Sequence, residues 1–471
     1  MVEYKLNEVS PYEGSRGTEE HTDFDIIVIG GGSAGFAAAI RGAGMDKKIA
    51  LIEDATIGGT CVNIGCVPSK FIIHEAFSGT NWDSITTGMD NLVENLRTEK
   101  YINVLENYTD NVTYIHQTAQ FIDKKSIQLS DGSVLSAGKY ILTTGSRPVF
   151  PDLPGIEEIE PLDSTGLLFI KNLPKSIIIV GGRFIALELG QAFARLGVKV
   201  TILQRSSRLI PQYDTEISEG IEQVFNSQGI TVITGTELIR ASKTNSGKTL
   251  CYRSRNEQKE ISAEQIVFAT GRKGNTESLH LNLAGVITDS TDHIVTDKYL
   301  KTSNPVIFAA GDVLATPGLV YVAAKEGQTA AGNSFADVPV PLSYDNVPEV
   351  IFTHPQIARV GITEAAANKK GVKVSSKSFY IADTPYGLAN NDTKGLIKLI
   401  KNTDTGELLS AEIIAKDAGN MIQTLTIAIQ AHMTIADIVD TYFPYLTAIE
   451  GVKLGAIIFD KDVHTLSCCA G

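Results

Sequence analysis

Residues 24–29 (Phe-Asp-Ile-Ile-Val-Ile) form a short apolar, β-branched run, the pattern of a strand buried on both faces. The turn Gly30-Gly31-Gly32-Ser33-Ala34-Gly35 follows, then an Ala-rich helical stretch to about Gly44 and a second apolar run over 48–52, closed by Glu53. The same order recurs from Ser176: the run 177–180, Gly181-Gly182-Arg183, a helical stretch to Leu196 and a run over 199–203. Between the two units, 71–107 reads as amphipathic helix, 112–116, 120–122 and 126–129 as strands, Asp131-Gly132 as a hairpin turn, and 140–142 as a buried strand. Pro148, Pro151 and Pro154 punctuate one boundary and a Pro-rich linker over 339–346 another, after which the pattern is α+β. The expected fold class is α/β: two Rossmann-like dinucleotide-binding domains plus a C-terminal α+β domain.

Composition narrows the class. The chain has 471 residues, 43% hydrophobic and 20% charged, the profile of an ordinary globular protein of about three domains. A formal net charge of -13 argues against nucleic acid and anionic membrane as partners. No apolar run reaches the ~18 residues of a membrane-spanning helix. Residues 1–23 are polar and acidic, lack an apolar signal core and carry no cysteine, so a flexible tail is expected there and not an appended metal-binding module. Five cysteines, an odd number at this length, do not make a secreted disulfide framework, and a reducing cytoplasm is the expected location.

Each repeated unit has the context a dinucleotide fingerprint requires. In the first, Gly30, Gly32 and Gly35 occupy the G-x-G-x-x-G positions between strand and helix, and Glu53 stands about twenty residues on. Glycines let the backbone approach a pyrophosphate at the helix N-terminus, and the acid can hold a ribose. In the second unit the pattern aligned on Gly181 has Arg183 and Ala186 at the second and third positions. Either that loop shifts, or the Arg183 guanidinium contacts phosphate directly. After this unit's second strand come Gln204-Arg205-Ser206-Ser207-Arg208, with no acid; Arg205 and Arg208 suit a ribose 2′-phosphate, which favours NADPH over a solvated basic loop.

The run Gly58-Gly59-Thr60-Cys61-Val62-Asn63-Ile64-Gly65-Cys66-Val67-Pro68-Ser69-Lys70 carries the chemistry. Five helical residues rise ~7.5 Å, more than the ~4.4–6.8 Å between the Cα atoms of a disulfide. A Cys61–Cys66 bond therefore needs a break in the helix, which Gly65 permits and which Pro68 suits as a helix start. Thiolates beside a helix N-terminus and Lys70 are stabilised, which points to redox chemistry. A zinc site needs about four ligands, and no second Cys/His pair follows at suitable spacing.

This run and the loops around it resemble the flavin-dependent pyridine nucleotide-disulfide oxidoreductases over about residues 24–471. The resemblance implies bound FAD on 24–150 and 273–343, NADPH on 151–272, and a dimerisation domain over 344–471. Gly30, Gly32, Gly35, Glu53, Gly59, Thr60, Lys70, Gly145 and Asp312 would face FAD; Gly181, Phe184, Arg205, Arg208 and Gly271 would serve NADPH. Gly145 and Gly271 end the family's two glycine turns, and Asp312 belongs to its second flavin motif. Cys66 would contact the flavin and Cys61 exchange with substrate. Lys70 and Glu188 would form an ion pair, and Phe184 would swing aside for the nicotinamide. A homodimer with shared sites is implied.

The family's disulfide reductases carry a C-terminal His supported by Glu. Here Glu450 is present, but the His position holds Tyr445, and a phenol of pKa ~10 is no general base near neutrality. His354-Pro355 occurs earlier without the accompanying Glu. The chain ends Cys468-Cys469-Ala470-Gly471, and adjacent tail thiolates suit a soft, linearly coordinated cation. Together with Tyr101, these features resemble the Hg(II)-reducing members of the family. That resemblance implies Hg(II) thiolate complexes as substrate, Cys61, Cys66, Cys468 and Cys469 as metal ligands, and Tyr101 and Tyr445 lining the site. A disulfide or dihydrolipoamide reductase is the alternative enzyme, and a non-catalytic metal-binding flavoprotein the alternative outside enzymes. Cys251 matches no motif and reads as a structural thiol.

Overall fold

A computed structural model describes residues 22–245 and 247–462; the N-terminal stretch before them and the Cys468–Cys469 pair lie outside the described residues. The run Phe24–Ile29 is the middle of a seven-stranded sheet, with its last four residues buried. It pairs in parallel with Ile49–Ile52 on one side and Val134–Leu142 on the other, and Ile49–Ile52 pairs in parallel with Val112–Ile115. The strands Ser126–Leu129 and Ala119–Phe121 continue the sheet antiparallel beyond Val134–Leu142. Ile307–Ala309, far along the chain, also pairs in parallel with Val134–Leu142, so the chain returns to its first sheet. Parallel strands need covering on both faces; helices Ser33–Ala43 and Val320–Asn333 supply part of the cover and pack on each other.

The second unit is a four-stranded parallel sheet in the order Thr231–Ile233, Lys199–Leu203, Ser176–Val180, Gln265–Phe268, beside an antiparallel three-stranded sheet over 236–263. Cys251 is buried in that smaller sheet. Two crossings join the units, Ser146–Pro148 and Arg272–Gly274, which pair antiparallel. Arg272 Nε donates to Ser146 Oγ at 2.8 Å, and burial lowers the pKa of its guanidinium. After residue 344 an antiparallel five-stranded sheet runs Glu349–Ile351, Gln356–Gly361, Leu408–Ala415, Leu396–Asn402, Val374–Tyr380, with helix Ala418–Gln430 against it.

The helical run expected over 71–107 is divided. Helix Cys66–Ser78 stops at Gly79, which is left-handed, and helix Trp82–Arg97 starts after Asn81, whose side chain accepts the Ser84 N–H. Both signals, a left-handed Gly and an Asn cap, are present in the sequence. Ile72, Ile73, Ala76 and Trp82 from these helices enter the core of the second unit, where Trp82 lies 5.6 Å from Phe193. The cysteine-bearing helix thus touches the second sheet's helix Phe184–Arg195.

Candidate active site

The break between the cysteines falls at Gly65. Helix Gly59–Ile64 ends there and helix Cys66–Ser78 begins, with Gly65 at φ -134°, ψ -105°. Pro68 sits in the first turn of the second helix, where an N–H has no intrahelical acceptor to lose. Asn63 holds the approach: its Nδ2 donates to the carbonyls of Ile57 and Gly59, each at 3.0 Å, and its Oδ1 accepts from Arg97 at 3.3 Å. Gly59, at φ +60°, lets this segment lie against the first glycine turn; a Cβ there would stand 2.7 Å from the Gly32 Cα.

Cys61 is half-buried and Cys66 exposed, and the Cys61 thiol is hydrogen-bonded to Cys66. The hydrogen bond from Cys61 is the main cause that lowers Cys66 to about 7; burial opposes it and Lys70 assists. The same bond raises Cys61 well above an ordinary thiol, with burial adding to it. Cys66 is also the first residue of its helix, where the dipole favours a thiolate. Lys70, one turn on, pairs with Glu188 of the second unit at 2.7 Å, and its Nζ lies 4.9 Å from the centroid of the Phe352 ring. The other Glu188 oxygen accepts the Phe352 N–H at 2.9 Å.

Tyr101 is brought to the dithiol by a widened turn, Thr98–Ile102, with π-helical bonding. Its hydroxyl bonds Ser33, its ring meets Phe36 edge-on at 4.8 Å, and its pKa is raised, by burial first and by the nearby cysteines last. A largely apolar groove of about 650 Å³ opens beside it, lined by Phe36, Ile40, Tyr101, Val320 and Ala324 among others. Tyr445 is placed elsewhere: it is half-exposed in the stretch before helix Glu450–Ile457, which packs on strands Val374–Tyr380 and Leu396–Asn402. His354 lies against Phe77, with ring centroids 4.7 Å apart and the planes tilted by 46°. Among the described residues no three His, Cys, Asp or Glu side chains converge on a metal-sized site.

The first glycine turn fits a flavin dinucleotide. A Cβ on Gly35 would come within 1.8 Å of the Gly30 carbonyl, whereas one on Gly32 would meet nothing nearer than 3.7 Å, so Gly32 opens onto free space. Helix Ser33–Ala43 has no side-chain cap, which leaves its first amides for a phosphate. Glu53 accepts the Gly31 N–H at 2.6 Å and the Ala55 N–H at 2.8 Å, one bond on each oxygen, and keeps lone pairs for a ribose. Burial raises its pKa. Asp312 follows Gly311, whose N–H donates to Glu326 at 2.6 Å; Glu326, fully buried and also bonded by Tyr344 at 2.7 Å, fixes this turn. Glu326 was not expected from the sequence, since its partners lie 15 and 18 residues away.

In the second unit Gly181 has φ +127°, and Gly145 and Gly271, each just before one of the two crossings between the units, have +70° and +125°. Arg183 caps helix Phe184–Arg195 in extended conformation and is exposed, so the glycine turn keeps its course and the guanidinium is free to reach outward. Phe184 packs 6.5 Å from Tyr213. Arg205 is exposed, with no acceptor on its guanidinium among the described residues. Arg208 differs from the expectation: its guanidinium donates to Thr215 Oγ1 and to the carbonyls of Pro211 and Tyr213, and so holds its own loop. A 2′-phosphate would share Arg208 with those acceptors.

Residues 24–327 match the pyridine nucleotide-disulphide oxidoreductase family, and residues 347–456 match the dimerisation domain of that family. The chain belongs to this family of oxidoreductases, which use a flavin and a pyridine nucleotide. Among its curated relatives, a mercuric reductase of Staphylococcus aureus is 40% identical over 98% of this chain and 87% of its own length. One of Streptomyces lividans is 38% identical over 96% of this chain and 100% of its own. Among solved structures, the HOCl-induced flavoprotein disulfide reductase RclA of Escherichia coli superposes with a TM-score of 0.85 at 29% identity, covering 92% of this chain and 99% of that one. No helix among the described residues is long and apolar enough to cross a membrane.

Proposed function

We propose that this protein reduces Hg(II), delivered as thiolate complexes, to Hg(0) at the expense of NADPH, which serves mercury detoxification in the cytoplasm. The balance is NADPH + Hg(II) → NADP⁺ + H⁺ + Hg(0). The observation that carries the reading is the pairing of Cys61 and Cys66 beside Tyr101, with no third ligating carboxylate or imidazole among the described residues. Two thiolates suit a soft cation that prefers two ligands; zinc would call for about four. FAD, when bound along Gly30, Gly32, Gly35, Glu53, Gly145 and Asp312, would supply the passage of two electrons from NADPH to the sulfur site. On this reading residues 24–150 and 273–343 hold FAD, 151–272 hold NADPH, and 344–471 form the dimer contact.

Each residue then has a part. Cys66 is the thiolate facing the flavin and Cys61 the thiol that exchanges with incoming ligands. Lys70, held by Glu188, keeps positive charge near the sulfurs. Arg205 takes the 2′-phosphate, with Arg208 bracing the loop that carries it. In a closed two-fold dimer, Tyr445 of one subunit approaches the dithiol of the other. The groove beside Tyr101 and the exposed side chains of Tyr442, Tyr445 and Leu446 support such a contact. Cys468 and Cys469 are the entry ligands, since soft metals pass from thiolate to thiolate by exchange.

A flavoprotein disulfide reductase remains the second reading because of the solved relative. Tyr445 in place of an imidazole weighs against it. The deciding experiment is NADPH oxidation with Hg(II) under excess thiol, with mercury vapour collected. One Hg(0) per NADPH is expected. Stoichiometric Hg(II) binding without NADPH oxidation, or faster turnover of an organic disulfide, would overturn the proposal.

A further inference from the structure

Glu450 is a buried carboxylate with no cation beside it: among the described residues no Lys, Arg or His pairs with it. Its two oxygens go to backbone. Oε1 accepts the Tyr386 N–H at 2.7 Å and Oε2 accepts the Leu446 N–H at 2.8 Å. Leu446, the neighbour of Tyr445, has φ +59°, a left-handed conformation that a side chain disfavours. Its own side chain is 47% exposed, so burial does not impose that conformation. The bond to Glu450 holds the Leu446 amide itself. From the same helix, Lys453 Nζ donates to the Thr441 carbonyl at 2.9 Å, and ahead of the helix Thr447 Oγ1 donates to the Pro444 carbonyl at 2.7 Å. One helix thus grips both ends of the segment that presents Tyr445.

We infer that Glu450 is a positioning residue that sets the direction of the Tyr445 phenol through the Leu446 amide, and that it moves no proton. The inference rests on the reading of Tyr445 as a residue lining the Hg(II) site. Each Glu450 oxygen is anchored to a backbone amide, one of them beside Tyr445, so the service to the site that the geometry supports is rigidity.

The test compares Glu450→Ala, Tyr445→Phe, the double variant, and Glu450→Ala combined with Leu446→Gly, all as FAD-loaded full chain. Glycine takes a left-handed φ without help, so it should restore the turn that Glu450 no longer holds. The readouts are kcat and KM for NADPH-dependent Hg(II) reduction, and NADPH-dependent reduction of a dye that takes electrons at the flavin. Glu450→Ala should lower kcat for Hg(II) by about tenfold with dye reduction within about twofold of the unaltered enzyme. The double variant should be no slower than Tyr445→Phe, and Leu446→Gly should recover much of the loss. If Glu450→Ala is poorly soluble, Glu450→Gln, which keeps one acceptor oxygen, should show a smaller loss of the same kind. Additive losses in the double variant, a parallel loss of dye reduction, or no rescue by glycine would overturn the role of Glu450 alone. Full activity in Tyr445→Phe would overturn the Tyr445 reading itself.

Discussion

The two glycine-turn units, 24–142 and 176–268, share the order strand, turn, helix, parallel strand, and they part at three places. At the third fingerprint position the first unit has Gly35, jammed against the Gly30 carbonyl, and the second has Ala186, buried without trouble. At the second position the first has Gly32, open, and the second has exposed Arg183. After the second strand the first has an acid, Glu53, already bonded to its own glycine turn, and the second has Gln204 and the exposed Arg205. The first turn is built by close backbone contact and has little latitude. The second makes a like contact at its first glycine, where a Cβ on Gly181 would stand 2.4 Å from the Ala269 carbonyl, but carries side chains at its second and third positions and has more room to vary there.

The largest effect follows from the tightest contact. Gly35→Ala should abolish stoichiometric flavin, because its Cβ would overlap a backbone oxygen that cannot move without the turn. Ala186→Gly should leave the KM for NADPH within about twofold and cost ~1 kcal/mol of stability. Bound flavin and thermal unfolding measure both. Full flavin content in Gly35→Ala would show that the two turns are equally tolerant, and the contrast between them would fail.

Next in size is nucleotide choice. Arg205→Glu should shift the NADPH/NADH ratio of kcat/KM towards NADH by at least ~10-fold, about 1.4 kcal/mol. Arg208→Ala should instead weaken both nucleotides alike and lower the unfolding temperature, because its guanidinium holds the Pro211 and Tyr213 carbonyls. An unchanged ratio in Arg205→Glu would remove the basic-pocket reading. A changed ratio in Arg208→Ala would show that Arg208 leaves its loop to bind phosphate.

Strands, turns and the dithiol helix break were legible because each is a local statement: Phe24–Ile29 is uniformly apolar but for Asp25, and Gly65 stands between Cys61 and Cys66. The Lys70–Glu188 pair is found as expected, although 118 residues separate its members, because the family resemblance supplied it. What was not legible is carried by side chains whose partners are distant or are backbone atoms. Arg208 reads as a phosphate ligand until its three acceptors are seen. Glu326 looks like a surface acid in a helical pattern until burial shows it bonded to the Gly311 amide, and Glu450, which the family pattern singles out, gives no sign in the sequence that its partners are the Tyr386 and Leu446 amides. Thr98–Ile102 has an ordinary helical composition, and its widened turn follows from where Tyr101 must pack, against Phe36 and Ser33.

The smallest effect tests whether the two units are electrically joined. Cys66 belongs to the first unit, and its ionisation near 7 is lowered chiefly by the Cys61 hydrogen bond and further by Lys70, while Glu188 of the second unit raises it. Glu188→Gln removes a negative charge and leaves Lys70 with undivided influence on the sulfur. Both changes favour the thiolate, so the Cys66 pKa should fall below its present value. Below pH 7, where the thiolate is the minority form, the alkylation rate of the reduced protein should rise about threefold, the modest gain expected of one charge removed near a partly exposed thiol. Above pH 8 the rates of variant and unaltered protein should converge, since Cys66 is ionised in both. Lys70→Met should act in the opposite sense and slow alkylation at neutral pH. An alkylation profile in Glu188→Gln that overlays the original from pH 5 to 9 would mean that the second unit holds Lys70 in place without tuning the thiol, and that the units are coupled by packing alone.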